Sequence, residues 1–321
     1  FTNYLNLNEN LYNLLMKTVF FSLKPPNGSY GGGAFFVKNL SSFLLSKKYN
    51  VTYTLDPNID VLFIIDPRSG PHKKYDLNDF IQYKKNNPNT IIIHRVNECD
   101  IKRQISINVE SLLVKTMKFA NKVVFVSQWL ENYYIKKYDL QLKDHHAILN
   151  GCNRKHFYPI HRKFNKIKLV THHWSSNYLK GFHIYNALDQ ILPKYPHIEF
   201  TYIGNYNKDY NPQHIRLLPC MSDEQLGDEL RNHNFYLTAT QNEPGAMHYL
   251  EGMSCGLPIL YCLGGGGAQE ICKMSGEEYK HIEELFTKIE EINNNYKDYV
   301  KKIDYEYLGS ERCCEEYFKL I

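Results

Sequence analysis

Short apolar runs alternate with stretches of helical spacing along the chain, and this alternation constrains the fold more than any other feature. A short apolar run bounded by Gly, Pro or Asn indicates a buried strand, and apolar residues three or four positions apart indicate a helix. Strands and helices in alternation form parallel sheets that are covered by helices on both faces. In the first half, the predicted strands are residues 17–23, 61–65, 91–93 and 123–126, and the predicted helices are residues 34–45, 109–119 and 129–138.

The same alternation starts again after residues 148–159, where Asn-Gly and Pro indicate a connection between domains. The predicted strands there are residues 168–171, 199–203, 235–238 and 258–262, the predicted helices are 182–192, 223–231 and 246–254, and residues 277–321 have a largely helical pattern. We therefore predict an α/β protein with two Rossmann-like, doubly wound parallel-sheet domains, residues 1–150 and 151–304. Ligands of such sheets bind at the carboxyl ends of the strands, which would face each other across a central cleft.

Composition and charge exclude several classes of protein. The 321 residues are 43% hydrophobic and 22% charged, as in folded globular proteins, and the formal net charge is only +4. No basic run occurs, so nucleic acid is not an expected partner, and no apolar stretch approaches the roughly 18 residues that cross a bilayer. The eight cysteines form no C-x-x-C pair, which favours reduced thiols in a cytoplasmic protein. Because residue 1 is Phe, we expect a fragment of a longer chain.

Residues 242–260 are the most informative segment. Glu243 lies in a loop after a predicted strand, and Glu251 lies eight positions further on, inside the predicted helix 246–254. Unpaired backbone N–H groups of Gly245, Ala246 and Met247 at the start of that helix would favour a diphosphate. A carboxylate before the helix can accept hydrogen bonds from sugar hydroxyls, and one inside it can accept a pair from a ribose. In isolation, the same spacing is more often a helix cap and a solvated surface charge.

The residues around the two glutamates resemble the E-x7-E signature of glycosyltransferase family 4, whose members have the two-domain GT-B fold. The matching positions are Glu243, Gly245, Glu251, Gly252, Met253, Cys255, Gly256 and Pro258. Less specific similarities cover most of the chain from about residue 17 onwards. They are the interdomain linker at Asn150 and Gly151, a diphosphate-binding lysine at Lys180, an N-terminal glycine loop at Gly31, Gly32 and Gly33, a strand end at residues 125–127, and a final helix at about 305–321 that crosses back onto the first domain.

The resemblance implies roles for particular residues. Glu243 would contact the transferred sugar, Glu251 the ribose and Lys180 the diphosphate, and Glu243 and Lys180 would be catalytic. His94 is a third catalytic candidate, because family members often have a histidine after this strand, near the donor sugar and the acceptor; the alternative is a structural histidine. The other donor-binding candidates are Gly32, Gly33, His173, Ser175, Gly204, Gly245, Ala246 and Met247, and the acceptor candidates are Arg95 and Glu98.

One position departs from the family pattern. Family members usually carry an arginine six residues before the lysine, as the second cation on the diphosphate, and Trp174 occupies that position here. Either His172, His173 and Ser175 replace the missing guanidinium, or phosphate binding is weaker. For the two histidines, a structural role at the end of a strand is an equal alternative.

The resemblance implies a retaining glycosyltransferase that uses a UDP- or GDP-linked sugar as co-substrate and no cofactor. No Asp-x-Asp motif follows a predicted strand, so a metal ion is not expected. The acceptor would be a carbohydrate, a lipid-linked group or another hydroxyl compound, and contact with a membrane surface stays open. Two alternatives also stay open: a nucleotide-sugar epimerase of the same fold, and a catalytically silent binding module, which Trp174 favours.

Overall fold

Two parallel sheets of six strands each organise the chain in the computed structural model, which describes residues 16–26, 31–102 and 108–321. The first sheet contains β1 Thr18–Phe21, β2 Asn50–Thr52, β3 Val61–Ile64, β4 Ile91–Val96, β5 Lys122–Phe125 and β6 His145–Ala147. Its spatial order is β2-β1-β3-β4-β5-β6. The helices of this half are α1 Gly32–Ser46, α2 Leu77–Asn86, α3 Val109–Phe119 and α4 Gln128–Tyr138.

The second sheet has the spatial order β12-β11-β10-β7-β8-β9. Its strands are β7 Ile167–His173, β8 Ile198–Gly204, β9 Arg216–Leu218, β10 Phe235–Thr238, β11 Ile259–Cys262 and β12 Gly276–Tyr279. The helices that follow β7 along the chain are α5 Phe182–Ile191, α6 Asp223–Arg231, α7 His248–Ser254, α8 Ala268–Cys272, α9 Ile282–Asn294, α10 Tyr296–Lys301 and α11 Ser310–Phe318. The predicted α/β architecture of two Rossmann-like sheets is confirmed.

The central strands are buried along their whole length because helices cover both faces of each sheet. Successive side chains of a strand point to opposite faces, so both sets must be apolar. In β3, Phe63 packs in one apolar cluster beside Phe21, with 5.3 Å between the ring centroids, whereas Leu62 packs in a second cluster.

Several predicted boundaries are wrong, and most of the errors concern sheet edges. The sequence pattern did not predict strands β2, β6, β9 and β12, and β12 begins the segment that was predicted to be helical. All four are edge strands with partly exposed residues, so they lack a continuous apolar run. Strand β4 continues to Val96, beyond its predicted end at residue 93, and helix α7 begins at His248 rather than at residue 246.

The last helix, α11, packs against α1 of the first domain. The Tyr317 ring lies 4.6 Å from the Phe36 ring and 5.8 Å from the Phe63 ring, measured between centroids. Cys313 and Cys314 join the same apolar cluster. The first domain is therefore completed by the end of the chain, and the backbone crosses between the domains twice.

Each sheet has one point where the strand order reverses, between β1 and β3 in the first and between β7 and β10 in the second. Loops that follow the two strands at such a point leave in opposite directions and open a crevice between them, where ligands of doubly wound sheets bind. No helix in the described part of the chain is both long and apolar enough to span a membrane.

Candidate active site

A cavity of about 340 Å³ lies between the domains, with walls from both. The start of α1 forms part of one wall, and segments that follow β7, β8 and β10 form the other, so the cavity joins the two reversal points. The predicted site residues that line it are Gly32, Gly33, Arg95, His173, Ser175, Lys180, Gly204, Glu243, Gly245, Ala246, Met247 and Glu251. Two predicted residues, His94 and Glu98, do not line it.

Glu243 is buried in the loop after β10, where its carboxylate is shared by two lysines. Glu243 Oε2 lies 2.5 Å from Lys180 Nζ, and Oε1 lies 3.0 Å from Lys102 Nζ. Burial raises the pKa of Glu243, but the charges and hydrogen bonds of Lys102 and Lys180 outweigh burial and lower this pKa to about 2. Glu243 is therefore ionised at neutral pH, and it does not cap helix α7.

The two lysines come from different domains. Lys180 ends a 3-10 turn, Tyr178–Lys180, in the second domain, and Lys102 ends the turn Asp100–Lys102 in the first. Burial lowers the pKa of the Lys180 amine, against the opposing effect of Glu243. Burial also acts to lower the pKa of Lys102, but the glutamates near it, chiefly Glu243, make the net shift upward. No sequence motif pointed to Lys102, because its contact with Glu243 exists only in the folded arrangement of the two domains.

Gly181, the residue after Lys180, occupies a position that only glycine can fill. Its φ is +101°, and a Cβ atom there would lie 2.3 Å from the Cβ of Ala239, directly after β10. The turn that carries Lys180 therefore packs directly against the strand end that precedes Glu243, and only glycine permits this approach.

Glu251 lies in helix α7 and is bonded to His172 of β7. Glu251 Oε2 lies 2.7 Å from His172 Nε2, and the other ring nitrogen, Nδ1, lies 3.0 Å from the hydroxyl oxygen of Tyr236. The buried tyrosine thus fixes the imidazole that orients Glu251. Glu251 is neither a solvated surface charge nor buried out of reach of the cavity.

The start of helix α7 differs from the prediction. The helix has only seven residues. Because it begins at His248, Glu251 lies in its first turn. The backbone N–H of Ala246 was predicted to be unpaired, but it donates to the hydroxyl oxygen of Tyr249 at 3.0 Å. At least one of the three backbone N–H groups that were predicted to be free for a diphosphate is therefore already used inside the protein.

Three histidines meet beside the lysine-glutamate cluster. The rings of His173 and His248 are 4.6 Å apart, and those of His172 and His248 are 6.1 Å apart. His173 Nε2 lies 3.0 Å from the hydroxyl oxygen of Tyr185. Burial lowers the pKa values of His173 and His248, and neighbouring cations including Lys180 lower them further. Both imidazoles are therefore neutral in this structure, so they can donate or accept hydrogen bonds but add no charge.

His94 is not at the edge of the cleft, and its predicted position is wrong. Because β4 continues to Val96, His94 lies inside the sheet with no exposed surface, and its Nδ1 lies 3.1 Å from the backbone oxygen of Ile64. Burial lowers the pKa of His94 to about 4. This position gives no support to a catalytic contact.

Arg95, the next residue, links the first domain to the loop of the glutamate motif. Its Nη2 donates to Asn150 Oδ1 at 2.8 Å, and Asn150 Nδ2 donates to the backbone oxygen of Gly245, also at 2.8 Å. The guanidinium also lies 4.3 Å from the Phe36 ring centroid. Arg95 is buried, and these contacts favour a role in positioning this loop over the predicted role in binding an acceptor.

The glycines of the cavity wall differ in how much space surrounds them. Gly204 has a φ of +126°, and a Cβ there would lie 2.0 Å from the backbone oxygen of His173. Gly32, at the start of α1, lies opposite Met247, whose Cγ would be 3.4 Å from an added Cβ. Only glycine fits at position 204, whereas a Cβ at position 32 would make an ordinary contact with Met247.

Glu270 of the second domain is bonded to the start of helix α4 in the first. Its carboxylate accepts hydrogen bonds from the backbone N–H groups of Gln128, at 2.9 Å, and Trp129, at 2.5 Å. A carboxylate is favourable at a helix N-terminus, where it satisfies unpaired N–H groups and the helix dipole. This contact and the Lys102–Glu243 pair both join the two domains.

Comparisons with known proteins define the fold. No protein-family model and no curated protein matches the chain. Among solved structures, Anabaena HepE in complex with UDP and glucose is similar with a TM-score of 0.72 and 14% identity, over 95% of this chain and 99% of that chain. Sucrose-phosphate synthase from Thermosynechococcus elongatus has a TM-score of 0.70 and 15% identity, over 95% and 98%. WaaG, a glycosyltransferase involved in lipopolysaccharide biosynthesis, has a TM-score of 0.67 and 12% identity, over 95% and 99%. The fold is that of GT-B glycosyltransferases.

Proposed function

We propose that this protein is a glycosyltransferase that moves a sugar from a nucleoside-diphosphate sugar to a hydroxyl acceptor. The observation that carries the proposal is the cluster of Lys102, Glu243 and Lys180 in the interdomain cavity, with Glu251 on the same wall. Cations for a diphosphate and two carboxylates for sugar hydroxyls are the groups that such a donor requires. The similarity to HepE, which has been solved with UDP, with UDP and glucose, and with UDP-glucose, supports a donor of this class.

Each member of the cluster has a chemical task in this proposal. The ammonium groups of Lys180 and Lys102 lie against the diphosphate and stabilise the charge that develops as the sugar leaves. Because both lysines hold Glu243 ionised, its carboxylate accepts hydrogen bonds from hydroxyls of the transferred sugar. Glu251, oriented by His172, accepts hydrogen bonds from the ribose. Lys102 takes the place of the second cation that family 4 enzymes carry at the position of Trp174.

We further propose that transfer is retaining and independent of a metal ion. The bond from the anomeric carbon to the diphosphate oxygen breaks, the acceptor oxygen bonds to the same face, and the acceptor proton passes to a phosphate oxygen. Glu243 is a poor nucleophile for a covalent intermediate because two lysines share its charge. The same lysines supply the positive charge that a metal ion provides in other transferases. The resemblance to family 4 supports a carbohydrate or lipid-linked acceptor. The cysteine pattern supports work in the cytoplasm, at a membrane surface where the acceptor is membrane-linked.

The direct test is a panel of UDP- and GDP-sugars assayed for thermal stabilisation and for turnover. A donor that binds the native state raises the melting temperature. Lys180→Ala and Glu243→Ala are each expected to lower turnover about a hundredfold or more, as loss of a charge-stabilising group does. Lys163→Ala and Glu315→Ala change exposed residues of the same types and serve as matched controls.

The outcomes separate the alternative functions. A rearranged donor sugar in the absence of any acceptor would identify an epimerase. Binding of a donor without turnover, with acceptors supplied, would identify a silent module, in agreement with the exposed Trp174 at the usual arginine position. Full turnover in Lys180→Ala or Glu243→Ala would remove that residue from the reaction.

A further inference from the structure

Trp174 is an exposed aromatic side chain on the wall of a ligand cavity. It is 57% exposed and lines the cavity directly after strand β7. Among the described residues, it is the only one of the exposed large apolar side chains that lines this cavity. A large apolar surface exposed inside a cavity, rather than on a convex surface, favours a ligand that covers it.

The backbone of Trp174 is held in place from the next strand. Its carbonyl oxygen accepts a hydrogen bond of 2.6 Å from Asn205 Nδ2, and the backbone N–H of Asn205 donates to the carbonyl oxygen of His173 at 3.1 Å. Asn205 directly follows Gly204, which ends β8. The indole therefore projects from a segment that is fixed by the strand ends beside it.

Trp174 is close to the carboxylate that we assign to the ribose. It lies two positions after His172, whose imidazole is bonded to Glu251. Two residues of extended chain span at most about 7 Å, so the Cα atom of Trp174 lies within that distance of the Cα atom of His172. A base joined to a ribose at Glu251 is thus within reach of the indole.

The cavity lining also offers apolar surface for the flat face of a base. Ile203, Cys220, Met221 and Leu226 are among the lining residues, as Trp174 is. A nucleobase has an apolar face and a polar edge, and an aromatic side chain provides a stacking surface that accepts any base. On the basis of the proposed function, we propose that Trp174 stacks on the nucleobase of the donor. The position that carries a phosphate-binding arginine in family 4 would then bind the base, while Lys102 supplies the cation.

The sequence allows a direct optical test. The chain has two tryptophans, and the other one, Trp129, stacks on Tyr133 in α4 at 5.7 Å between ring centroids, outside the cavity lining. In Trp129→Phe, all tryptophan fluorescence comes from Trp174. UDP and GDP are expected to quench this fluorescence, whereas inorganic pyrophosphate, which has no base, is expected to leave it unchanged. Equal changes with pyrophosphate and with UDP would overturn the proposal.

Affinity measurements provide a second, independent readout. Stacking on one base contributes about 1–3 kcal/mol, so Trp174→Ala is expected to raise the Kd for UDP about fivefold or more, with the Kd for pyrophosphate unchanged. Trp174→Phe, which keeps a stacking ring, should retain most of the affinity, and thermal unfolding of each variant confirms that it is folded. Equal UDP affinity in the wild type and Trp174→Ala would overturn the proposal.

The same experiments distinguish this proposal from the proposed function. If neither UDP nor GDP raises the melting temperature of the wild-type protein, no nucleotide donor binds and both proposals fail. If a nucleotide raises the melting temperature but does not change Trp174 fluorescence, and the wild type and Trp174→Ala bind UDP equally well, only the stacking proposal fails. Quenching of Trp174 fluorescence by sugars, and not by nucleotides, would assign Trp174 to the acceptor and would likewise overturn the stacking proposal.

Discussion

Lys102 of the first domain and Glu243 of the second form an ion pair of 3.0 Å across the cleft. Glu243 is at the same time bonded to Lys180, so one buried carboxylate joins lysines of both domains. This arrangement exists only while the domains keep their present relative position. The charges that we assign to the diphosphate are therefore brought together by this arrangement of the two domains.

Replacement of Lys102 with Gln is expected to weaken binding of UDP or GDP about tenfold or more, because a hydrogen bond to a charged group contributes about 1.5–3 kcal/mol. Calorimetric titration of the wild type and the variant measures the ratio of the two Kd values. Lys115→Gln, on the exposed side of α3, is the matched control and should bind as the wild type does. Equal affinity in Lys102→Gln would show that this lysine only pairs with Glu243.

The pKa of Glu243 predicts how stability depends on pH. Its value in the folded protein, about 2, is below the ordinary value of 4.5, so the native state favours the ionised form. The stabilisation from this charge is complete above the unfolded pKa and is lost as the pH falls from about 4.5 towards 2. We expect the free energy of unfolding of the wild type to approach that of Glu243→Gln on acidification, as measured by urea unfolding at about pH 7 and about pH 3. If the difference in unfolding free energy between the wild type and Glu243→Gln is the same at both pH values, the lowered pKa of Glu243 is contradicted.

Replacement of Glu251 with Gln is expected to reduce discrimination between ribose and deoxyribose. The charged carboxylate accepts stronger hydrogen bonds from the ribose hydroxyls than a neutral amide does. The wild type should therefore bind UDP about tenfold more tightly than 2′-deoxy-UDP, and the variant should bind the two with similar affinities. Glu315→Gln, which changes an exposed glutamate in α11, should keep the wild-type ratio. An unchanged ratio in Glu251→Gln would place the ribose elsewhere.

The sequence predicted the parts of the site that depend on local spacing. Glu243 and Glu251 are separated by one loop and part of one helix, and Lys180 is followed by a glycine that the backbone requires, so their positions follow from the pattern. Lys102 could not be predicted, because its role depends on how one domain lies against the other. No local pattern contains that information.

His94 shows a different limit of prediction from sequence. The apolar run ends at residue 93, and we therefore placed a polar histidine at the edge of the cleft. In the structure, pairing with β5 continues to Val96, so His94 and Arg95 are inside the sheet. Tertiary pairing extended the strand through polar residues, which a hydrophobic pattern cannot indicate.

Glu270→Ala is expected to loosen the contact between the domains. The carboxylate caps two backbone N–H groups of α4, and loss of a helix cap costs about 1 kcal/mol. We expect a lower free energy of unfolding and, because the cap joins the domains, a larger radius of gyration by small-angle X-ray scattering. Glu315→Ala is again the control. If scattering and stability both match the wild type, the contact does not hold the cleft closed.

Gly252→Ala provides a test of the packing beneath the glutamate motif. Ala is favoured over Gly inside a helix by about 1 kcal/mol, so helix propensity alone predicts a more stable protein. An added Cβ at Gly252 would, however, lie 2.3 Å from Cδ2 of the buried Tyr236 ring. That ring cannot move freely, because its hydroxyl oxygen is bonded to His172, the residue that orients Glu251.

The steric conflict should outweigh the propensity, so we expect Gly252→Ala to lower the free energy of unfolding by about 1–3 kcal/mol, as measured in urea. It should also weaken UDP binding, because displacement of Tyr236 disturbs the His172–Glu251 pair. Gly31→Ala is the control for steric conflict. A Cβ at Gly31 would meet nothing within 4 Å, so the only expected cost is that of a poorer N-cap on α1, about 1 kcal/mol or less. A gain of stability in Gly252→Ala would show that Tyr236 can shift, and that Glu251 is held less rigidly than its contacts indicate.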